Sequence, residues 1–185
     1  MKLPKIPYFS QWDLDSDGRP IYIISAIVNM ILGWLGGTKV EFPPRIIDLP
    51  SAQIFQGAFD KLGIPTRIIH PASCISLLPG DICLITYDGF LRENVQDKNF
   101  NGWSWVIFLG MDDKNVWVHD PNWSSKKRKN GQELKVSLDE WNTAFRPHSR
   151  GLTAVRLVTP GPVPEDEIQT FPPVLETKED PPATS

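Results

Sequence analysis

An α+β fold, with a helical N-terminal half packed on a mainly antiparallel sheet, is predicted by three features of this 185-residue chain. Apolar side chains at helix-type 3- and 4-residue intervals concentrate before Gly63. Short β-rich runs separated by turn residues follow, and one capped helical stretch lies late among them. No internal repeat is present, so these elements have to build one core between them.

The elements read in order as follows. Ile6 to Trp12 is an extended lead-in and Asp13 to Arg19 a polar loop. Ile21 to Leu35 is the only long apolar run, 15 residues, short of the roughly 20 that a bilayer span needs. It therefore predicts a buried helix, with Ser25 as a capping residue and Gly36-Gly37 as the stop. Ser51 precedes Ile54, Phe55, Ala58, Phe59 and Leu62, an amphipathic helix closed by Gly63. Pro65 to Ile69 is a short strand, and Leu78 to Asp81 is a turn feeding a strand from Ile82 to Tyr87. Trp103 to Leu109 and Asn115 to His119 pair as a hairpin across Gly110 to Lys114. Ser137, with Glu140 three residues on, opens a helix to Phe145, and Leu152 to Val158 is the last strand.

Composition sets the organisation. With 41% hydrophobic and 22% charged residues the chain suits one soluble domain, residues 1–158, plus an appendage, residues 159–185. Seven of the 18 prolines lie from Pro160 onward, where six acidic residues stand against Lys178 alone. That Pro-rich tail carries −5 of the total −3, leaving +2 on the body. Prolines interrupt helix and ladder bonding, and so little apolar area does not offset ordering entropy of roughly 1–2 kcal/mol per residue. Such a tail is expected to be extended, and to order on contact with a partner. The net charge gives no reason to expect a nucleic-acid coat or an acidic-membrane binder. Cys74 and Cys83 are too few for a disulfide scaffold or a zinc knot. The proline-interrupted N-terminus shows no secretion signal, so a cytoplasmic or particle-incorporated protein is expected.

The motif order, Tyr8-Phe9-Ser10-Gln11-Trp12-Asp13, a loop, a buried helix, an aromatic strand, then Val118-His119-Asp120-Pro121, resembles the papain-like cysteine peptidases of the bacteriocin-processing, double-glycine-leader group. The resemblance covers Ile6 to Val158 and implies a papain-like fold. It also implies acyl transfer by a helix-terminal thiolate and a strand histidine, with a glutamine for the oxyanion and an acid to orient the histidine. Gln11 and Asp120 match the last two. Ile23 stands in the cysteine slot and Ser104 in the histidine slot. Isoleucine forms no nucleophile, and a serine hydroxyl accepts no proton at neutral pH as imidazole does. The resemblance therefore implies a pseudoenzyme without a catalytic residue or cofactor.

Other readings compete. Ser25 with His119 as base is a relocated nucleophile only if both face one cleft, and strand alternation sends His119 away from Asp120. Cys83, in an apolar strand, reads as an inert thiol, and Cys74 as a packed loop residue or an exposed thiol. Asp13, Asp15 and Asp17 open a calcium-loop pattern, but Ile24 stands where the completing glutamate belongs, so solvated carboxylates are expected and no metal. Lys126-Lys127-Arg128-Lys129 is a solvated loop, or a patch for an acidic partner. Trp34, Trp117 and Trp141 read as core, whereas Trp12, Trp103 and Trp123 flank the cleft in the family analogy.

Three functions follow as expectations. The first is a noncatalytic component that docks on other proteins through the tail and the basic loop, in an assembly such as a virion or similar particle. The second is a peptide- or glycan-binding module using Gln11, Asp120 and nearby tryptophans. The third is a hydrolase with a relocated nucleophile.

Overall fold

The structure is a computed structural model that describes residues 3–12, 22–40, 51–71, 73–87, 102–122, 131–146 and 152–158. Among these residues it is mixed α+β, with three α-helices and a six-stranded, wholly antiparallel sheet. The helices are α1 (Tyr22–Trp34), α2 (Ala52–Asp60) and α3 (Leu138–Ala144). The strands are β1 (Thr66–Ile69), β2 (Ile82–Thr86), β3 (Trp103–Met111), β4 (Asn115–His119), β5 (Leu134–Ser137) and β6 (Ala154–Leu157), in the spatial order β1-β6-β2-β3-β4-β5.

Strand alternation divides the core into two layers. On one face Ile82, Leu84, Trp105, Ile107, Leu109 and Val155 pack with α1 and α2. On the other, Cys83, Ile85, Val106, Phe108, Val118 and Ala154 pack with Trp141, Ala144 and Phe145 of the α3 region and with Cys74 and Leu77. Residues 25–32 of α1 are buried without exception, as its all-round apolar sequence requires. No described helix is long and apolar enough to cross a membrane.

Several sequence expectations move. Ser25 is not a cap. The helix opens three residues earlier, at Tyr22, whose backbone N–H is taken by the Gln11 carbonyl at 3.2 Å, so Ser25 lies inside α1 and is buried. The β3–β4 turn is shorter than Gly110 to Lys114, because β3 runs on to Met111 and absorbs one extra residue in a bulge between Phe108 and Gly110. The strand β5, paired with β4, is an element the sequence reading did not contain. Ser137 does cap α3, with Glu140 returning the bond as a capping box. Of the expected core tryptophans, Trp141 is fully buried, while Trp34 and Trp117 are half-buried against the helix-side core. Cys74 lies buried in a 3-10 turn (Cys74–Ser76), its Sγ 3.6 Å from the Asn142 side chain. The tail, residues 159–185, lies outside the described residues.

One ion pair ties β6 into the sheet. Arg156 donates from Nε and Nη2 to the two oxygens of Asp81, at 2.9 and 2.6 Å, and from Nη2 to the Ser76 carbonyl at 2.7 Å. Asp81 is 1% exposed and also accepts from the Leu78 backbone N–H. Removing the guanidinium would leave a buried carboxylate without its cation. Arg156→Met is expected to lower the unfolding free energy by about 3 kcal/mol, measured by urea denaturation; a change below about 1 kcal/mol, the range of surface pairs, would contradict this role.

Candidate functional site

The site grows from the place where the N-terminal segment crosses the end of β4. Pro7 lies against α1 at Gly33, where an added Cβ would strike the proline ring. Four residues on, the Gln11 backbone N–H donates to the Pro121 carbonyl at 2.8 Å. His119 closes the near side of this crossing. Its Nε2–H donates to the Ile6 carbonyl at 2.9 Å, and its Nδ1 accepts from the Glu133 backbone N–H at 3.0 Å, which fixes a neutral tautomer. The ring is fully buried and meets Tyr8 edge-to-face at 5.5 Å. Burial holds its pKa below the ordinary histidine value, opposed by the Ile6 carbonyl and by the charge of Glu133.

Asp120 sits on the opposite side of the chain. The Tyr87 hydroxyl donates to its two oxygens at 2.8 and 2.7 Å, and the Asn122 backbone N–H donates at 2.9 Å. Side chains of Ser104 and Asn122 hydrogen-bond the same phenol, and the Gln11 amide donates to the Asn122 side-chain oxygen. Burial pushes the Asp120 carboxyl up to about 6, with the Tyr87 phenol and then the Asn122 N–H opposing. Burial likewise raises Tyr87 well above its usual value, and the charge of Asp120 adds to the effect. Beneath them Tyr8 donates to the Asp120 carbonyl at 2.9 Å and accepts from the Gly131 N–H at 3.0 Å. Only glycine fits at 131, since a Cβ would run into the Asp120 carbonyl and the Tyr8 hydroxyl.

The structure thus joins Gln11, Asp120 and Ser104 in one network, through Tyr87 and Asn122, which the sequence reading missed. Tyr87 carried a signal, a polar tip closing an apolar strand; Asn122 carried none beyond its place after Asp120-Pro121. Ile23 does not join. It packs on the helix-side core together with Trp103, whereas Ser104, paired with Ile85, turns to the other face toward Tyr87. Ile23 and Ser104 therefore do not face one another across a cleft, because alternation gives the helix side of β3 to Trp103. Asp120, expected as a ligand contact, is 1% exposed. Trp12 remains 40% exposed beside the network, its Nε1–H 3.4 Å from the Asn122 carbonyl. The Arg146 guanidinium lies 5.9 Å above the Trp103 ring.

The competing nucleophiles sit elsewhere. Cys83 is buried, and desolvation first, then the charge of Asp81, pushes its thiol well above the ordinary value. Ser25 is buried in α1. His70 is exposed, with Nδ1 3.0 Å from the Leu152 carbonyl. Among the described residues no three His, Cys, Asp or Glu side chains are placed to hold a metal ion. Asp13, Asp15, Asp17, Trp123, Lys126, Lys127, Arg128, Lys129 and His148 lie outside the described residues. No protein-family model matches the chain, and no curated protein matches it.

The raised Asp120 pKa makes a linkage prediction. The fold favours the protonated carboxyl, so its contribution is fully present below about pH 4 and is lost as pH rises through about 6. Asp120→Asn lacks this loss. Its unfolding free energy relative to the parent is expected to rise by about 2 kcal/mol between pH 4 and pH 7.5, measured by denaturation at both; a pH-independent difference would refute the buried acid. Histidine 119 works in the opposite sense, its contribution being present above pH 6.5 and lost on acidification, and it cancels in the comparison because both proteins keep it.

Proposed function

We propose that this chain is a noncatalytic structural or interaction component, built on a degenerate papain-like peptidase scaffold, that docks on other proteins of a larger assembly. The observation that carries this is the use made of the reactive side chains. Both ring nitrogens of His119 are spent on backbone groups, and the Asp120 carboxylate is held by a phenol. In the peptidase scheme an acid at this place would orient an imidazole; here Tyr87 takes that position, and a phenol with a raised pKa is a poor base at neutral pH. The position facing α1 from the start of β3 is Trp103 and the next is Ser104, so neither register of the family pattern supplies an imidazole.

What the network does instead is hold residues 6–11 to the end of β4. A scaffold whose polar cluster is committed to architecture offers its surface rather than its chemistry. A peptide- or glycan-binding module is the second reading, favoured by Trp12 and Tyr22, which stand 40% and 38% exposed, one next to Gln11 in the chain and the other bonded to its carbonyl through the backbone N–H, as aromatic surface for stacking.

Two measurements test the proposal. Incubation with iodoacetamide, with a fluorophosphonate and with a mixed peptide library at pH 7.5 is expected to leave the protein unlabelled at stoichiometric level and the peptides uncut; one cleaved bond abolished by a single substitution would overturn it. The scaffold itself is tested by Ile23→Cys. A thiol in the first turn of α1, at a peptidase-like nucleophile seat, is expected to be alkylated with a midpoint below the ordinary value of about 8.5. A midpoint at or above that value would remove the peptidase descent while leaving the noncatalytic role untouched.

A further inference from the structure

The layer of sheet opposite α1 and α2 is covered unevenly. Its β3–β4–β5 half lies under Trp141, Ala144 and Phe145, while among the described residues the β1–β6 end is bordered by the 3-10 turn Cys74–Ser76, the loop that follows and Leu152. Three large apolar residues stand exposed there: Ile75 at 80%, Leu78 at 54% and Val158 at 41%. They are neighbours of the Arg156–Asp81 pair in the chain or in its hydrogen bonding. Arg156 reaches the carbonyl of Ser76, next to Ile75, and Asp81 accepts from the Leu78 N–H. The alternation that puts Ala154 and Arg156 on this layer carries on to Val158, still in ladder contact through its N–H to the Pro65 carbonyl at 2.9 Å. Arg67 pairs directly with Arg156 in the register and is exposed on the same layer.

We infer that this surface is the docking site of the chain's own C-terminal segment, residues 159–185. Three observations select that occupant. The segment begins at the patch, because it follows Val158, the last described residue and itself part of the exposed trio. Its chemistry is complementary: Val163, Ile168, Phe171 and Leu175 supply apolar anchors, and a net charge of −5 meets the exposed Arg67 on a surface where the Asp81 carboxylate is buried and already paired. Its seven prolines suit an extended strip lying on a surface, since that conformation needs no partner for backbone N–H groups that proline lacks. Tethering adds an effective concentration of about millimolar, enough for weak contacts to close the patch. This holds whatever the polar network at β4 does.

The test is photo-crosslinking in the full-length chain with p-benzoylphenylalanine in place of Ile75, a position exposed enough to accept it, and in place of Leu35, exposed at 53% after α1, as reference. Irradiated dilute, the residue 75 variant is expected to give a monomeric product mapped by mass spectrometry to residues 159–185, in about fivefold higher yield than the residue 35 variant, as an effective concentration set by a local tether requires. Adding Arg67→Glu should lower that yield severalfold. Equal yields from the two positions, no crosslink from residue 75, or a product joining two copies of the chain would each overturn the assignment.

Discussion

The end of β4 grips the N-terminal segment, and much of the molecule's arrangement depends on that grip. Residues 119–122 take up the Ile6 carbonyl, the Tyr8 hydroxyl and the Gln11 N–H within one short crossing, and each bond is made by a group that burial would otherwise leave unsatisfied. Because Gln11 in turn accepts from the Tyr22 N–H, the place where α1 begins is set by the end of a strand about a hundred residues away in the chain. Helix, lead-in and sheet are thus fixed to one another by polar contacts, and the apolar layers fill the space between them.

The two sides of the crossing use opposite electrostatics. His119 is kept neutral by burial and by a fixed tautomer, while Asp120 is pushed toward its protonated form at a pH close to neutrality. A buried acid matched to a phenol, with two further side chains on the same oxygen, is a saturated network, the kind that rigidifies a fold. Saturation also explains why the reactive residue types in this region make an unpromising reaction centre: each would have to break a structural bond before it could exchange a proton.

Legibility in the sequence followed the range of the interactions. The capping box of Ser137 and Glu140, the amphipathic spacing of α2 and the β3–β4 hairpin are local patterns and were read close to their true limits. The apolar run from Ile21 to Leu35 matches α1, but Ser25 was wrongly read as a cap, because the first N–H, that of Tyr22, is taken by the distant Gln11 carbonyl rather than by a side chain. The strand β5 escaped because it is four residues long and runs without a turn into the cap of α3. Gln11 and Asp120 were singled out by motif, but their linkage through Tyr87 and Asn122 rests on contacts 33 and 111 residues apart, which no spacing rule encodes. Ile23 and Ser104 lie on different layers for a simpler reason: a one-residue choice along a strand decides which layer a side chain enters.

The place of β6 has a further bearing on how the chain is made. Among the described strands this is the last to be synthesised, yet it lies between β1 and β2, the first two, and it is the strand through which β1 joins the sheet. On the ribosome, β1 must therefore wait for β6 to emerge before it gains its strand partner in the described sheet, although α2 can already pack on Trp105 of β3. Such a non-local closure is slow by nature, and during the wait the edge of β2 stands open to any other strand in reach.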